Sequence, residues 1–224
     1  MSLSSKLTGA GAIALAVTFN LPYGYLAQHF GYPDILRHPA GEVLSRFADG
    51  GDGLIWAWYV FGLSALMFVP LGFALSITPQ RMQRVPALAI GAAVAGALSG
   101  LVQAMGLLRW VFVVPGLAHG NDALAQGQFD LMNAYAGVAV GEHMGQILTA
   151  LFVGLVVAMQ FSERKPVSGT FGALTVAAML GGAGGGLALA LGHSDGAFAL
   201  LSVAAYLGLT LWLILTGIGL VRAK

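Results

Sequence analysis

Six long apolar stretches dominate this sequence and limit what the chain can fold into. They cover about residues 7–27, 54–77, 87–114, 133–161, 169–191 and 197–221. Each matches or exceeds the roughly 20 apolar residues that an α-helix needs to cross a bilayer. Turn residues and charges separate the stretches, as at Tyr32-Pro33-Asp34. The sequence therefore predicts an all-α fold, in which residues 1–224 form one integral membrane domain with six transmembrane helices.

The composition indicates that lipid is the solvent. Hydrophobic residues make up 58% of the chain and charged residues only 8%, whereas soluble domains average about 45–50% and 25%. A formal net charge of +1 gives no sign of nucleic-acid binding. The chain has no cysteine, which excludes disulfides, iron–sulfur clusters and thiolate metal sites. The first apolar stretch lacks a convincing small-residue cleavage site, so we predict a retained helix and not a signal peptide.

The basic residues predict the orientation, because lysine and arginine accumulate on the cytoplasmic side of membrane proteins. With the amino terminus inside, most of the basic residues fall in the cytoplasm. The cytoplasmic set is Lys6, Arg81, Arg84, Arg164, Lys165, Arg222 and Lys224, and the set outside or near the outer boundary is Arg37, Arg46 and Arg109. We therefore predict that both termini are cytoplasmic.

The first outer loop, about residues 28–53, allows two interpretations. Residues 39–48 can form a short amphipathic helix that points Val43, Leu44 and Phe47 toward the membrane. The same residues can also form a solvated loop with a few buried apolar anchors. Both interpretations stay open from the sequence.

Four aromatic residues lie near the predicted outer ends of helices. They are Trp56, Trp58, Tyr59 and Trp110. Aromatic rings favour the headgroup zone of a bilayer. We therefore predict that these rings are membrane anchors and not part of a binding site.

Small residues predict how the helices pack, since helices in lipid associate through close backbone contact. Gly137, Gly141 and Gly145 recur at spacing four and predict a groove on the fourth helix. Gly96 and Gly100 repeat this pattern on the third helix. The glycine-rich fifth helix lies in the membrane with no following Lys or Ser/Thr, so it favours packing over a phosphate-binding loop.

Polar side chains cluster in the outer half of the predicted bundle. Charges inside a bilayer are costly, so each one requires a reason. At about 1.5 Å rise per residue, the polar residues of the first, third and fourth helices reach similar heights. We predict a ligand-binding polar pocket that opens to the extracytoplasmic side. Its predicted lining is Asn20, Tyr23, Gln103, Arg109, Asn133, Glu142, His143 and Gln146.

An Arg109–Glu142 ion pair is predicted at the centre of this pocket, with His143 as a donor or proton relay. Three alternatives stay open. Arg109, next to Trp110, can instead extend to the outer headgroups. A Glu–Arg pair can be purely structural, and His143 can be an ordinary interior histidine.

Metal, haem and catalytic sites find little support in the sequence. His29, His119, His193 and two outer aspartates lack the tight spacing typical of a zinc site, so we predict no metal site. A bis-histidine haem needs a partner for His143, which only His29 or His193 could supply. No nucleophile with a positioned base is evident, so no catalytic residue is assigned and an enzyme finds no support.

Part of the chain resembles a known family. The segments are Arg109-Trp110, Val114-Pro115-Gly116-Leu117-Ala118, and Tyr135 to Gly145, which ends in Gly-Glu-His-Met-Gly. This pattern resembles a domain-of-unknown-function family of small bacterial multi-helix membrane proteins. The resemblance implies a bacterial cytoplasmic (inner) membrane protein and implies no activity.

The leading functional hypothesis is binding or transport of a small polar or ionic ligand, or of a proton, through the outer-facing pocket. The alternatives are a haem- or quinone-binding redox module and a structural or accessory membrane subunit. The sequence names no cofactor, and whether the chain forms a homo-oligomer stays open.

Overall fold

The computed structural model describes residues 3–120 and 122–222 and confirms the predicted all-α membrane bundle. Lys224, which the orientation prediction used, lies outside the described residues. Ten α-helices, a 3-10 turn and a π-helix follow one another within these ranges. They are α1 Leu3–Phe30, the 3-10 turn Asp34–Arg37, α2 Ala40–Leu66, α3 Phe68–Ser76, α4 Pro79–Arg84, α5 Pro86–Phe112, α6 Val114–Gly120, α7 Ala123–Met132, the π-helix Asn133–Met144, α8 Gly145–Ser162, α9 Pro166–Ala190 and α10 Gly196–Arg222.

Six helical spans are long and apolar enough to cross a membrane among the described residues. They are Ser4–Phe30, Ala40–Ser76, Pro86–Gly120, Ala123–Ser162, Pro166–Ala190 and Gly196–Arg222. The end of the bundle that holds the start of α1 and the end of α10 is called the terminal end below. The opposite end, where α1 ends and α10 begins, is called the loop end.

Proline and glycine explain why three of these spans are composite. A proline inside a helix clashes with the carbonyl four residues earlier. Pro70 therefore interrupts the second span at Met67, and Pro115 accompanies the break at Val113 in the third. Gly51 has a φ of 55°, a conformation that glycine adopts without strain. It sharply bends α2 and separates residues 40–50 from the membrane-crossing part.

The segment predicted as the first outer loop is therefore mostly helical, because α2 begins at Ala40 and not near residue 54. Of the two interpretations left open, the helix is the correct one. The direction of its apolar face was predicted wrongly, however. Val43, Leu44 and Phe47 are buried against the protein and do not face lipid.

Two cores of buried apolar side chains hold the bundle together. The core of the terminal half includes Phe68, Phe152 and Trp212, and the core of the loop half includes Trp58 and Trp110. The rings of Trp58 and Trp110 stack with centroids 4.9 Å apart and are fully buried. The prediction that these two rings anchor the chain in the headgroups is therefore wrong.

Trp56 differs from the other two tryptophans of this region. It is 65% exposed on the outside of α2. Its exposure agrees with the predicted role at the membrane surface.

The glycine groove predicted on the fourth helix is confirmed. A Cβ atom on Gly141 would lie 3.0 Å from the Cα of Gly106, and one on Gly145 would lie 2.8 Å from the Cγ of Gln103. The π-helix and the start of α8 therefore pack directly on the backbone of α5. This close approach brings the polar side chains of both elements together.

A cluster of ion pairs lies at the terminal end of the bundle. The Nε of Arg81 donates to Glu163 Oε1 at 2.5 Å, and Arg81 also donates to the Leu75 carbonyl. Lys165 donates to the same carboxylate at 2.7 Å. Burial alone would raise the pKa of Glu163, but hydrogen bonds from Arg81 and Lys165 hold this pKa below its usual value.

Candidate functional site

A cavity of about 690 Å³ lies in the loop half of the bundle, and all six spans contribute to its lining. Below it is called the loop-end cavity. Its volume lies within the range of about 300–1,000 Å³ that small-molecule sites occupy. Every predicted site residue except Asn133 lines it: Asn20, Tyr23, Gln103, Arg109, Glu142, His143 and Gln146. The structure therefore brings seven of the eight predicted residues together in one cavity wall.

The π-helix supplies one side of the loop-end cavity. π-Helical turns are rare and occur often at functional sites. Here Gly141, Glu142 and His143 line the cavity from consecutive positions. Gly137, one turn earlier, leaves room for a neighbouring side chain, since a Cβ at this position would collide with the guanidinium of Arg109.

Arg109 is buried in this space and does not extend to the headgroups. Only 6% of the residue is exposed. Its guanidinium donates to the Gly106 carbonyl and, at 2.9 Å, to Asn133 Oδ1. It also lies 5.1 Å from the ring centre of Trp110, and its buried Nε–H has no hydrogen-bond partner. Asn133 therefore does not line the cavity, but it accepts a hydrogen bond from Arg109 and so helps to fix the position of that side chain.

The predicted Arg109–Glu142 ion pair is not formed. Glu142 instead accepts a hydrogen bond from the Nη2 of Arg37 at 2.6 Å, and Arg37 Nε donates to Asp195 Oδ2 at 2.8 Å. This Arg37 bridge ties the 3-10 turn to the π-helix and to the residue that precedes α10. Burial alone would lower the pKa of Arg37, but the charge of Glu142 and these hydrogen bonds raise it above its usual value. Arg37 therefore remains charged.

Polar side chains from α5, α8 and α10 form a network at the deep side of the loop-end cavity. Gln103 Nε2 donates to the hydroxyls of Ser99 and Thr149 at 2.9 and 3.0 Å. The hydroxyl of Tyr206 donates to Gln103 Oε1 at 3.3 Å. These bonds fix the orientation of the Gln103 amide.

Two further hydrogen bonds attach α10 to this wall. Gln146 Nε2 donates to the Ser202 hydroxyl at 3.0 Å, and Asn20 Nδ2 donates to the Thr210 hydroxyl at 2.9 Å. Asn20, Gln103 and Gln146 thus each have a partner on α10, whereas Asn133 bonds to Arg109. No sequence pattern indicates these partners, because they lie far apart along the chain.

His143 is oriented by one backbone contact. Its Nδ1 lies 2.7 Å from the Ala183 carbonyl oxygen. A carbonyl oxygen only accepts hydrogen bonds, so Nδ1 carries a proton. In neutral His143, Nε2 is then the atom that can accept a hydrogen bond or a proton. This fits the predicted role as a donor or relay without testing it.

Aromatic rings form the apolar wall of the loop-end cavity. They are Phe19, Tyr23, Tyr32, Trp58, Phe61, Trp110 and Tyr206. The ring of Tyr32 packs edge-on against Trp58, with centroids 5.2 Å apart. Burial, with a smaller contribution from the charge of Glu142, raises the pKa of Tyr32, so its hydroxyl stays neutral. The cavity therefore combines flat apolar surfaces with a few fixed polar groups.

One face of α10 borders an opening in the side of the bundle. Leu200, Val203 and Leu207 line the cavity, yet they are 75%, 36% and 60% exposed. Their spacing places them along one helix face. Because they belong to an apolar span, this opening faces the region that lipid tails occupy.

The histidines proposed as haem partners lie elsewhere. Neither His29 nor His193 lines the loop-end cavity, and the ring of His29 bonds to the Tyr25 carbonyl. The predicted pairing of His143 with His29 or His193 is therefore not assembled in this cavity. Among residues 3–120 and 122–222, no group of three or more histidine or acidic side chains is placed to hold a metal ion.

Arg37, Asp195 and Tyr206 are cavity residues that the sequence analysis did not identify. Arg37 and Asp195 looked like ordinary charges of outer loops. Tyr206 lies in an apolar helix whose polar residues at helical spacing from it, Ser202 and Thr210, carry no charge. Arg37 entered the sequence analysis only in the count of basic residues on each side of the membrane, and that count concerned orientation.

The family comparison covers almost the whole chain. A model of the DUF4386 family, described as a domain of unknown function, matches residues 7–217. Comparisons with curated proteins and with solved structures gave no match. The resemblance to a family of unknown function that the sequence predicted is thus confirmed. This chain, a multi-pass integral membrane protein, belongs to the DUF4386 family.

Proposed function

We propose that this protein binds a small amphipathic molecule in the loop-end cavity. The observation that carries the proposal is the composition of the wall of this cavity, whose volume is about 690 Å³. Aromatic rings form one part of its wall, and oriented amides, a histidine and a buried arginine form another. Ligand sites typically combine an apolar lining with a few fixed polar groups.

Binding is favoured over transport by the packing of the terminal half. There Phe68, Phe152 and Trp212 are fully or almost fully buried in a continuous apolar core. A buried network adds to this core, since Gln160 bonds to Trp212 and Thr216 at 3.2 and 3.1 Å. Transport would require this half to open. Uptake of a ligand into proteoliposomes would support transport, which this packing does not favour.

Native mass spectrometry of gently extracted protein tests the proposal. The wild type should carry a bound small molecule. Val203→Trp, at the rim of the cavity, should lose it, whereas Leu211→Trp should retain it. Leu211 is a matched control, because it is 39% exposed against 36% for Val203 and does not line the cavity. If both variants retain the molecule equally, it binds elsewhere and the proposal is wrong.

The other functional hypotheses make different predictions. A quinone-binding redox module would show a quinone as the bound molecule. A structural subunit would carry no small molecule and would co-purify with a partner even after Glu142→Gln and His143→Gln. A proton site at Glu142 and His143 stays a prediction, and a proton flux assay in proteoliposomes would test it.

We also propose that the loop end faces away from the cytoplasm, across a bacterial cytoplasmic membrane. The excess of basic residues near the terminal end supports this orientation. The chain has no cysteine, so single cysteines can report it directly. A membrane-impermeant maleimide should label Ser194→Cys in intact cells and should label Gln80→Cys only after lysis. The reverse pattern would overturn the orientation.

A further inference from the structure

We propose that the ligand of the loop-end cavity is a monoanionic amphiphile, and that Arg109 binds its charged group. Such a molecule carries one carboxylate-like charge on an apolar or aromatic body. This inference rests on the binding function proposed above and names the class of ligand.

The first observation is the incomplete neutralisation of Arg109. The residue is 6% exposed, and its hydrogen-bond acceptors are a backbone carbonyl and the neutral amide of Asn133. The Nε–H has no acceptor within the part of the chain that the structure describes. Buried charges are normally paired with an opposite charge. Arg109 lines the loop-end cavity, so an anion there would supply the missing charge.

The acidic residues of the cavity do not provide this partner. Glu142 and Asp195 both bond to Arg37, so one guanidinium already holds two carboxylates. Asp34 also lines the cavity but makes no ion pair with Arg109. These positions leave the guanidinium of Arg109 without a carboxylate in direct contact, and we infer that the charged group of the ligand takes this place.

The same acidic residues limit the charge of the ligand. Asp34, Glu142 and Asp195 all line the cavity and would repel a dianion. A single carboxylate matches the single charge of Arg109, and its flat geometry fits the planar guanidinium. A monoanion is therefore favoured over a phosphate monoester.

The body of the ligand follows from the remaining walls. The rings of Trp58 and Trp110, which stack on each other, belong to the apolar wall of the cavity, and Trp110 lies beside Arg109. The exposed rim formed by Leu200, Val203 and Leu207 connects the cavity with the lipid region. An apolar or aromatic body could therefore enter from the bilayer while its charged end reaches Arg109.

Isothermal titration calorimetry in nonionic detergent at pH 7 tests the inference with three probes that share the same naphthalene ring and differ in their polar group. These are 2-naphthoate, the neutral 2-naphthamide and the dianionic 2-naphthyl phosphate. We expect naphthoate to bind at least about tenfold more tightly than either other probe, which corresponds to about 1.4 kcal/mol. Arg109→Gln should abolish this preference. Arg84→Gln, an equal charge change at an exposed position of the terminal end, should preserve it.

Each other outcome has a definite meaning. If the amide binds as tightly as naphthoate, the charge of the ligand is wrong while cavity binding stands. Tighter binding of the phosphate would overturn the single charge. If no probe binds, the inference fails, and the native mass spectra judge the proposed function separately. If Arg109→Gln does not fold, the wild-type probe series decides alone.

Discussion

The Arg37 bridge should contribute measurably to the stability of the loop end. Arg37 lies 2.6 Å from Glu142 and 2.8 Å from Asp195, and the three side chains are 30%, 33% and 15% exposed. Exposed ion pairs contribute about 0.2–1 kcal/mol each, and partial burial places these two near the upper limit. Arg37→Gln removes both pairs and leaves two carboxylates facing the same gap, which adds a repulsion of about 1 kcal/mol.

We therefore expect Arg37→Gln to lower the free energy of unfolding by about 2–3 kcal/mol, and Glu142→Gln, which leaves the Asp195 pair intact, by about 1 kcal/mol. For a chain of this size 1 kcal/mol corresponds to about 2–4 °C in Tm. The double variant should cost less than the sum of the single variants, because removing Glu142 also removes the repulsion.

Thermal unfolding of the detergent-purified wild type, the two single variants and the double variant at low salt measures these differences in stability. Repeating it in 1 M salt, where the screening length is about 3 Å, should reduce the differences. The reasoning is refuted if Arg37→Gln costs no more than Glu142→Gln, or if the two losses simply add.

Three further predictions concern packing and pH. Gly141→Leu should lower the free energy of unfolding by at least about 1–3 kcal/mol, since its side chain would meet the backbone of Gly106. Gly24→Leu, where no atom lies within 4 Å of an added Cβ, should be tolerated, and equal Tm values for both would contradict the groove. Gln160→Leu removes the acceptor of Trp212 Nε1–H and should cost about 1–3 kcal/mol, whereas exposed Gln83→Leu should not. Burial alone would raise the pKa of Glu163, but Arg81 and Lys165 lower it below its usual value. The stability from this group is therefore present above the unfolded-state pKa and is lost as pH falls through the folded-state pKa, so Glu163→Gln should flatten the Tm–pH curve on its acidic side.

The hydropathy of the sequence was sufficient to predict the bundle, but not the details of its helices. A run of 20 apolar residues identifies a span because lipid leaves few alternatives to a helix. The segment that begins at Ala40 was left open because Glu42, Arg46 and Asp49 make it too polar for a span. Its apolar face packs on protein, and packing partners are set by tertiary contacts that the sequence pattern does not contain.

The sequence indicated how far along each helix the polar residues lie, but not which of them form ion pairs or hydrogen bonds with one another. Depth along each helix follows from residue number, and this was enough to place Glu142 and Arg109 near the same cavity. Which of them form a pair depends on rotation about the helix axes and on the connecting segments. Arg37 contacts Glu142 because the 3-10 turn at the end of which it lies is placed next to the π-helix. No periodicity in the sequence predicts this contact.

The change of partner alters the chemical meaning of the site. An Arg109–Glu142 pair would be self-neutralised and would give a ligand little electrostatic reason to bind. With Glu142 held by Arg37, Arg109 donates hydrogen bonds only to neutral acceptors. Burying a charge in this way destabilises the empty site relative to one that holds an anion. The Arg37 bridge therefore also holds Glu142 in a hydrogen bond that does not involve Arg109, so the guanidinium of Arg109 has no carboxylate in direct contact. A variant that frees Glu142, such as Arg37→Gln, should consequently weaken naphthoate binding even though Arg109 itself is unchanged. Unaltered binding in that variant would show that Glu142 does not compete for Arg109.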